Sequence, residues 1–455
     1  MGMINDQIKL LIDKQLNTYK DSARIQQDKN NENDFKKSYR YREVLELIQN
    51  CIDEFDDSSS NNDILINLQG NVFEIYNTGT PFLTEGIRSL MIANVSPKKD
   101  KKYYRDSGYI GNKGLGFRSV LNWANNIKIL SNNGLSIEFN QHNSNQFYES
   151  NNLFGDFAVF SYPKDMSMEV EDIKKELGHY STRISLILFE DKFDDVSNQL
   201  NSIDHNTLLF LPKINTLKIR INDQWKTFTK ITEKNIGLDY EDVIIEYKDS
   251  FEIIKTESYR VFETMEQSIR GETINIKVSY HPEIDVSNNP LYSYFKLGIN
   301  LPIKWKINAN FELSEEREKI KKTELNRKIL ERMIIFLFEC AEKEAALISP
   351  TDFTILSSLI PDLLIFNEDN LSIIVPKSQI GTDESFYFTN YYKREILKYK
   401  LLPLLNETYT SYIDEPTSFQ SSLIKILSFV DNIKQKTIKE PIPVIIKAFI
   451  KSTLI

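Results

Sequence analysis

Residues Gly108 to Val120 read Gly-Tyr-Ile-Gly-Asn-Lys-Gly-Leu-Gly-Phe-Arg-Ser-Val. Three of the chain's 15 glycines, at positions 111, 114 and 116, lie there just before a helical pattern. A residue without a Cβ lets backbone N–H groups approach a ligand closely, and a helix that begins at that point favours phosphate. By itself the stretch fits either a phosphate-binding loop or a glycine-lined hairpin or helix-packing site.

The length of 455 residues predicts about three domains. The composition, 41% hydrophobic and 27% charged, is ordinary for a globular protein. The net charge of −9 disfavours nucleic acid and anionic membranes as partners, so a phosphate site has to be built locally. Two cysteines, Cys51 and Cys340, and an N-terminus without a signal-peptide pattern predict a cytoplasmic location. The longest apolar run, 333–338, is far shorter than the roughly 18 residues that indicate a membrane span.

An amphipathic helix is predicted shortly before the glycine stretch. Its apolar side carries residues from Val44 to Phe55 at helical spacing. The other side carries Glu46, Asn50 and Asp53 at positions i, i+4 and i+7, so that two carboxylates and an amide form one row. Such a row can hold a metal ion, although a solvated polar face would have the same composition.

Polar residues follow the second of two predicted strands, 64–68 and 72–76. This segment reads Asn77-Thr78-Gly79-Thr80-Pro81-Phe82. Polar groups at a strand end, next to a glycine, commonly face a ligand, but a plain turn would use the same residues. The charged segment 96–105, which includes Lys98, is predicted to be a mobile lid whose lysines could meet phosphates, or simply a solvated loop.

The remaining patterns predict an α+β fold without a regular alternation of strands and helices. Helices are expected in the first 38 residues, interrupted by a polar loop at 26–34, at 84–93 with Thr84 as N-cap, and at 119–125. A hairpin is expected at 127–139 and a helix near 169–177, with strands at 157–162 and 182–189. Further strands are expected at 216–221, 225–231, 243–247, 259–264 and 274–280, followed by one long helix at 318–347 and a mixed segment with a strand near 371–375.

The common nucleotide-binding and hydrolase motifs are excluded. A Walker loop needs a hydroxyl residue after Gly-Lys, whereas Lys113 precedes Gly114 here. The glycine spacing does not fit the Rossmann fingerprint, and the chain lacks the His-Arg-Asp and Asp-Phe-Gly motifs of protein kinases and the Gly-x-Ser-x-Gly elbow. The four histidines are scattered and show no zinc-binding spacing.

Four collinear segments resemble the motifs of the GHKL ATPase superfamily, whose members share a Bergerat nucleotide fold. They are 46–53 (Glu-Leu-Ile-Gln-Asn-Cys-Ile-Asp), 77–82, 110–117 (Ile-Gly-Asn-Lys-Gly-Leu-Gly-Phe) and 181–184 (Ser-Thr-Arg-Ile). Their wording is most similar to the sacsin-like and heat-shock-chaperone-like branch. Four motifs in the right order are a far more specific signal than one.

The resemblance implies two chemical roles on the predicted helix. Glu46 is expected to be the general base that deprotonates the attacking water, and Asn50 is expected to ligate Mg²⁺, with Asp53 supporting the row. The residues expected to contact the nucleotide or its metal are Asn50, Asp53, Asn77, Gly79, Lys98, Gly111, Lys113, Gly114, Gly116, Phe117 and Thr182.

The resemblance also separates adenine contacts from phosphate contacts. Asn77 and Thr182 are expected to bind the adenine edge, with Gly79 allowing the ring to approach, and the three glycines are expected to offer N–H groups to phosphate. Lys113 and Lys98 are further phosphate candidates. Many members of the superfamily have aspartate where this chain has Asn77. An asparagine oxygen can also accept a hydrogen bond from the adenine amino group.

The second half resembles the chaperone branch's middle domain around residues 300–318, which end in Leu-Ser-Glu-Glu-Arg-Glu. There an arginine reaches the terminal phosphate, which implies a catalytic role for Arg317, although a helix-start arginine in an ion-pair run would look the same. The predicted domains are therefore a Bergerat ATP-binding domain (1–204), a transducer-like α/β middle domain (205–347) and a mostly helical C-terminal module of unknown role (348–455).

The resemblance implies Mg²⁺-dependent binding and hydrolysis of ATP to ADP and phosphate, with lid and domain closure as the output. In such families closure often drives dimerisation, so a homodimer through the ATPase domain and a protein client or partner are expected. The biological role is expected to be that of a chaperone or of the ATPase component of a larger system, such as bacterial anti-phage defence. The alternatives are a scaffold that binds nucleotide as a switch without hydrolysing it and, least favoured, nucleic-acid binding through 98–105.

Overall fold

A computed structural model of the chain describes residues 2–38, 42–57, 59, 61–92, 116–235, 238–250, 252–267, 273–301, 303–314, 319–347, 354–359, 402–403 and 409–410. The chain divides into two compact units. The first comprises Met1–Thr232 and Val243–Ser258, and the second comprises Glu233–Asp242 and Tyr259–Ile455. The first unit thus extends beyond residue 204, where the sequence places a domain boundary.

The first unit combines helices with a mostly antiparallel sheet. Its α-helices are α1 (Gly2–Tyr19), α2 (Ser22–Ser38), α3 (Glu43–Asp53), α4 (Thr84–Met91), α5 (Gln141–Ser150), α6 (Val170–Leu177) and α7 (Phe193–Asn201). Its 3-10 helices are η1 (Gly116–Asn122), η2 (Val159–Ser161) and η3 (His205–Leu208). The strands are β1 (Asp63–Gln69), β2 (Val72–Asn77), β3 (Ala124–Ser131), β4 (Leu135–Asn140), β5 (Lys164–Asp165), β6 (Thr182–Leu188), β7 (Thr216–Ile221) and β8 (Gln224–Lys234).

Strand pairing in the first unit follows the order β8-β7-β1-β2-β6-β3-β4-β5. The pair β1 and β7 is parallel, whereas the other pairs in this order are antiparallel. Strands β1 and β2 alternate between buried and half-buried residues, so one sheet face, which we call the inner face, carries Ile64, Ile66, Phe73 and Ile75. Asn77 continues this buried set at the end of β2.

Helix α3 forms because its apolar residues recur at helical spacing on one side, and Leu47, Ile48 and Ile52 are all buried. Its C-terminal turn lies against the segment that follows β2, because Thr80 donates its backbone N–H to the carbonyl of Glu54 at 2.8 Å. This contact fixes the helix over the end of β2.

The polar tract 26–34 lies inside α2, so the predicted loop is wrong. Polar side chains in this helix bond one turn apart, as Gln26 does with Asn30 at 2.9 Å. Glu32 is fully buried and accepts the backbone N–H of Val159 at 2.7 Å. Tertiary contacts of this kind stabilise a helix that has few apolar residues, and local sequence patterns do not reveal them.

Three other local predictions for the first unit differ from the structure. Leu83 is the N-cap of α4, and Thr84 is the first helical residue, whose hydroxyl donates to Gln7 Oε1 at 2.9 Å. The segment predicted as a strand at 157–162 contains η2, and the segment predicted as an α-helix at 119–125 overlaps the 3-10 helix η1. In η2 the Ser161 hydroxyl bonds back to the carbonyl of Ala158, which favours a tight turn over an extended strand.

Two long strands, β9 (Tyr240–Asp249) and β10 (Glu252–Gln267), belong partly to the second unit and precede its other elements. These elements are β11 (Thr273–Tyr280), η4 (Val286–Asn288), β12 (Pro290–Ser293), β13 (Phe295–Asn300), β14 (Trp305–Ala309), α8 (Glu324–Leu347), α9 (Thr354–Leu359), β15 (Leu402–Pro403) and β16 (Tyr409–Thr410). Strand β11 pairs with β10 and β14, and β12 pairs with β13 and β14. Residues from β11, β14 and α8 share one hydrophobic core.

The long helix α8 begins at Glu324, six residues later than the sequence predicts, because Leu313 and Ile320 form a β-bridge before it. At coarse level the α+β prediction is confirmed, since both units combine helices with mostly antiparallel strands. No helix in the described part of the chain is long and apolar enough to cross a membrane. The predicted lid at 96–105, the strand near 371–375 and most of the C-terminal module lie outside the described residues.

Candidate functional site

The first part of the candidate site is a contact between α3 and the start of η1. Glu46 is only 3% exposed, and a Cβ added at Gly116 would lie 2.0 Å from its Oε2 atom. No side chain fits at that distance, so the Glu46 carboxylate lies directly against the Cα of Gly116. Two predicted motifs that are distant in sequence therefore meet in the fold.

Asn50 follows Glu46 by one turn on the same helix face. Its Nδ2 atom is buried and has no hydrogen-bond partner among the residues that the structure describes. Because a side-chain amide can turn over with little change in shape, either its oxygen or its nitrogen can occupy this position. A buried amide with unused hydrogen-bonding capacity is suited to a polar ligand or a hydrated cation. Asp53, also buried, completes the row in the last turn of α3.

The second part of the site is a row of polar side chains on three neighbouring strands. Asn77 of β2 pairs in register with Thr182 of β6, and Thr182 pairs with Ser131 of β3. All three are buried, with Asn77 7% and Thr182 3% exposed. The resemblance implies that Asn77 and Thr182 both contact adenine, and the structure places the two residues on adjacent strands.

The Asn77 side chain already makes two contacts within the protein. Its Oδ1 atom accepts the backbone N–H of Gly79 at 3.2 Å. Burial raises the pKa of the Cys51 thiol to about 12, and a hydrogen bond with Asn77 opposes this rise. A carbonyl oxygen has two lone pairs, so Asn77 can still accept one hydrogen bond from a ligand.

The Thr182 hydroxyl belongs to a small network at the same strand ends. It accepts the backbone N–H of Phe82 at 3.2 Å and lies 3.3 Å from Ser131 Oγ. Ser131 in turn accepts from Phe82 at 2.8 Å and lies 3.1 Å from the carbonyl of Ser181. Sequence reasoning missed Ser131, although a serine at the end of an apolar strand is the same signal that identified Asn77.

Gly79 has a close neighbour in the structure. A Cβ added there would lie 2.6 Å from the carbonyl oxygen of Glu54, the residue that follows α3. The glycine therefore allows the C-terminus of α3 to approach the end of β2. This packing role accounts for the glycine, and its expected approach to an adenine ring remains a prediction.

Helix α3 joins the two parts of the site. Its first half meets Gly116 through Glu46, and its last turn meets Asn77 and Gly79 through Cys51 and Glu54. Phe117 is half-buried, and its ring packs 5.9 Å from that of Phe160. The other predicted residues lie outside the described part of the chain; they are Lys98, Gly111, Lys113, Gly114 and Arg317.

Sequence reasoning also missed Glu43, in the first turn of α3. Its carboxylate accepts the side-chain amides of Gln199 at 2.7 Å and Asn122 at 3.1 Å, which ties α3 to α7 and to the end of η1. Burial raises the pKa of Glu43, and these two hydrogen bonds partly oppose the rise. Its helical position gave no signal, because a glutamate in a first turn is usually exposed.

The raised pKa of Glu43 predicts a pH dependence of stability. The folded protein holds this proton to a higher pH than the unfolded chain, whose carboxyl titrates near 4.5. The contribution of Glu43 is therefore fully present below pH 4.5 and is lost as the pH rises through the folded pKa. In denaturant titrations from pH 4 to 8, Glu43→Gln should lack this decline. The exposed Glu171→Gln should parallel the wild type, and a parallel Glu43→Gln curve would contradict the prediction.

A groove of about 510 Å³ in the second unit is an alternative site. Three cations line it, and each is paired: Arg332 with Glu339 at 3.0 Å, Lys343 with Asp239 at 2.6 Å, and Lys234 with Glu241 at 3.7 Å. Each cation of the groove is thus paired with a carboxylate of the groove, and the groove indicates no particular ligand.

Within the described ranges, no group of three or more His, Cys, Asp or Glu residues could hold a metal ion. A metal at α3 would therefore depend on the Asn50 amide together with oxygens from a ligand and water.

No protein-family model matches the sequence, and no curated protein matches it.

Proposed function

We propose that the first unit is a Bergerat-type ATPase domain that binds ATP with Mg²⁺ and hydrolyses it. The observation that carries the proposal is the position of α3, which touches Gly116 at one end and the Asn77 strand end at the other. One helix thereby links a candidate base, a candidate metal ligand and a candidate adenine contact. This arrangement supports a single elongated site in which a nucleotide lies along the polar row of α3.

In this proposal Glu46 positions the attacking water and accepts its proton. A carboxylate buried in the fold is suited to that task, because it can hold one water in a fixed orientation and is shielded from bulk water. The bare Cα of Gly116 leaves the carboxylate in place and leaves the adjacent backbone open to phosphate oxygens. Gly111 and Gly114 are proposed, from the sequence, to offer further N–H groups.

Asn50 would hold Mg²⁺ through its amide oxygen, with Asp53 near the end of the same row. When bound, Mg²⁺ would offset the negative charge of the phosphate oxygens during attack by water. At the other end of α3, the free lone pair of Asn77 would accept the adenine amino proton. The Thr182 hydroxyl already accepts from Phe82, so on binding its proton would turn from Ser131 Oγ to the ring.

A titration of purified protein with adenosine and with a non-hydrolysable ATP analogue, with and without Mg²⁺, tests the proposal. The wild type should bind the analogue more tightly when Mg²⁺ is present. Asn50→Ala should lose at least about tenfold of the affinity that depends on Mg²⁺ and should bind adenosine like the wild type. The exposed Asn30→Ala variant on α2 is the control and should behave as wild type.

Two outcomes would change the conclusion. A wild-type protein that binds neither adenosine nor the analogue would refute the nucleotide site. Tight binding of Mg·ATP with phosphate release at background would support the non-hydrolysing nucleotide switch.

A further inference from the structure

Arg118 is a buried cation two residues after Gly116, and only 3% of it is exposed. Its guanidinium donates a hydrogen bond to the carbonyl of Leu90 in the last turn of α4. The same group lies over the Phe160 ring, 5.6 Å from the centroid. Arg118 therefore ties η1 to the end of α4.

Helix α2 packs against η1, the 3-10 helix that contains Arg118. Burial lowers the pKa of this arginine, and the negative charges of Glu32 and Asp28 oppose the effect. Glu32 is held in place by the N–H of Val159 at 2.7 Å and by Lys29 at 3.2 Å. A buried guanidinium needs such compensation, because an arginine does not lose its proton in a protein.

Asp28 is in turn anchored to α1. Its Oδ2 atom accepts the hydroxyl of Tyr19 at 2.9 Å and the amide of Gln15 at 3.3 Å. Tyr19 is buried against the ring of Tyr148, with centroids 5.1 Å apart. The two N-terminal helices thus form one packed unit, which we call the N-terminal hairpin.

We propose that Arg118 is a positioning residue that holds Gly116 against Glu46, with its charge balanced by the N-terminal hairpin. This inference rests on the proposed function of the site. An apolar residue would fill the same space without the bond to Leu90, so the choice of arginine here requires an explanation. Arg118 acts on the phosphate end of the site, where Gly116 lies, and does not affect the strand-end row of Asn77 and Thr182.

Four variants of the full chain test the role: Arg118→Met, Arg118→Lys, Glu32→Gln and the double variant Arg118→Met/Glu32→Gln. Arg118→Met should lower kcat for ATP by about 10- to 100-fold, the usual cost of a small misplacement in an active site. Its adenosine Kd should stay within about twofold of wild type, a change too small to indicate altered adenine binding. Arg118→Lys keeps the charge and should recover most of kcat.

The Glu32→Gln change tests the part played by the hairpin. It should lower kcat in the wild-type background and have a smaller effect when Arg118 is already methionine, because the two charges act together. Thermal midpoints of all four variants show whether they fold. If Arg118→Met does not fold, Arg118→Lys and Glu32→Gln still report on kcat and adenosine affinity separately.

Three results would overturn the inference. An equal loss of adenosine and ATP affinity would assign Arg118 a general structural role, and unchanged kcat in a folded Arg118→Met variant would remove its role altogether. Additive effects of Arg118→Met and Glu32→Gln on kcat would show that the hairpin does not act through Arg118. A wild-type protein that binds no adenosine and no ATP would instead refute the proposed function, and with it the positioning role of Arg118.

Discussion

Glu46→Gln is expected to lower the turnover number for ATP by about 10²- to 10⁴-fold, the range over which general bases act. Glutamine has nearly the same shape as glutamate, so the contact with Gly116 should persist, but an amide does not accept the proton of the attacking water. The affinity for Mg·ATP should therefore stay within about threefold of wild type, because ground-state binding does not use this proton transfer. Steady-state phosphate release and equilibrium titration with a non-hydrolysable analogue measure the two quantities.

The exposed Glu171→Gln variant controls for the change of one carboxylate to an amide and should hydrolyse ATP as wild type does. Full turnover by Glu46→Gln would show that Glu46 is not the base. A parallel loss of affinity and turnover would instead indicate that Glu46 shapes the binding site and takes no part in the chemical step.

Gly116→Ala is expected to reduce ATP turnover at least about 10²-fold, because a displacement of about 1 Å at a reacting group has an effect of that size. The new methyl carbon would lie 2.0 Å from Glu46 Oε2, so the carboxylate has to move. The displaced atom is the end of a flexible side chain, and the free energy of unfolding should fall by no more than about 1 to 2 kcal/mol. Single-turnover kinetics and denaturant titrations test both statements.

Gly298→Ala provides the matched control, because an added Cβ there meets nothing within 4 Å. The double variant Gly116→Ala/Glu46→Gln is more informative still. If alanine acts by displacing the base, the double variant should be no slower than the slower single variant, since both changes remove one function. A multiplicative loss would show that Gly116 acts independently of Glu46.

Local patterns predicted the framework of the first unit. The helical spacing of α3, the hairpins β1–β2 and β3–β4, and strands β6 and β7 all follow from the sequence, because each has its own period and turn residues. Helix α2 could not be predicted in this way, because the buried Glu32 pairs with Val159, a contact remote in sequence.

The candidate site was predictable to the same degree. The row of Glu46, Asn50 and Asp53 depends only on helical spacing, so it could be predicted from the sequence. The contact of Glu46 with Gly116 depends on tertiary packing, as does the hydrogen bond from Arg118 to the carbonyl of Leu90. A lone arginine after a glycine-rich segment has no pattern that identifies it as buried.

The parallel pairing of β1 with β7 has a consequence for synthesis of the chain. Strand β1 ends at Gln69, whereas its partner ends at Ile221, so one edge of β1 stays unpaired until about 150 further residues have been made. A fragment that stops at residue 204 would present this edge permanently, and open edges promote self-association. During translation the nascent chain should therefore complete the first unit only after β7 has left the ribosome.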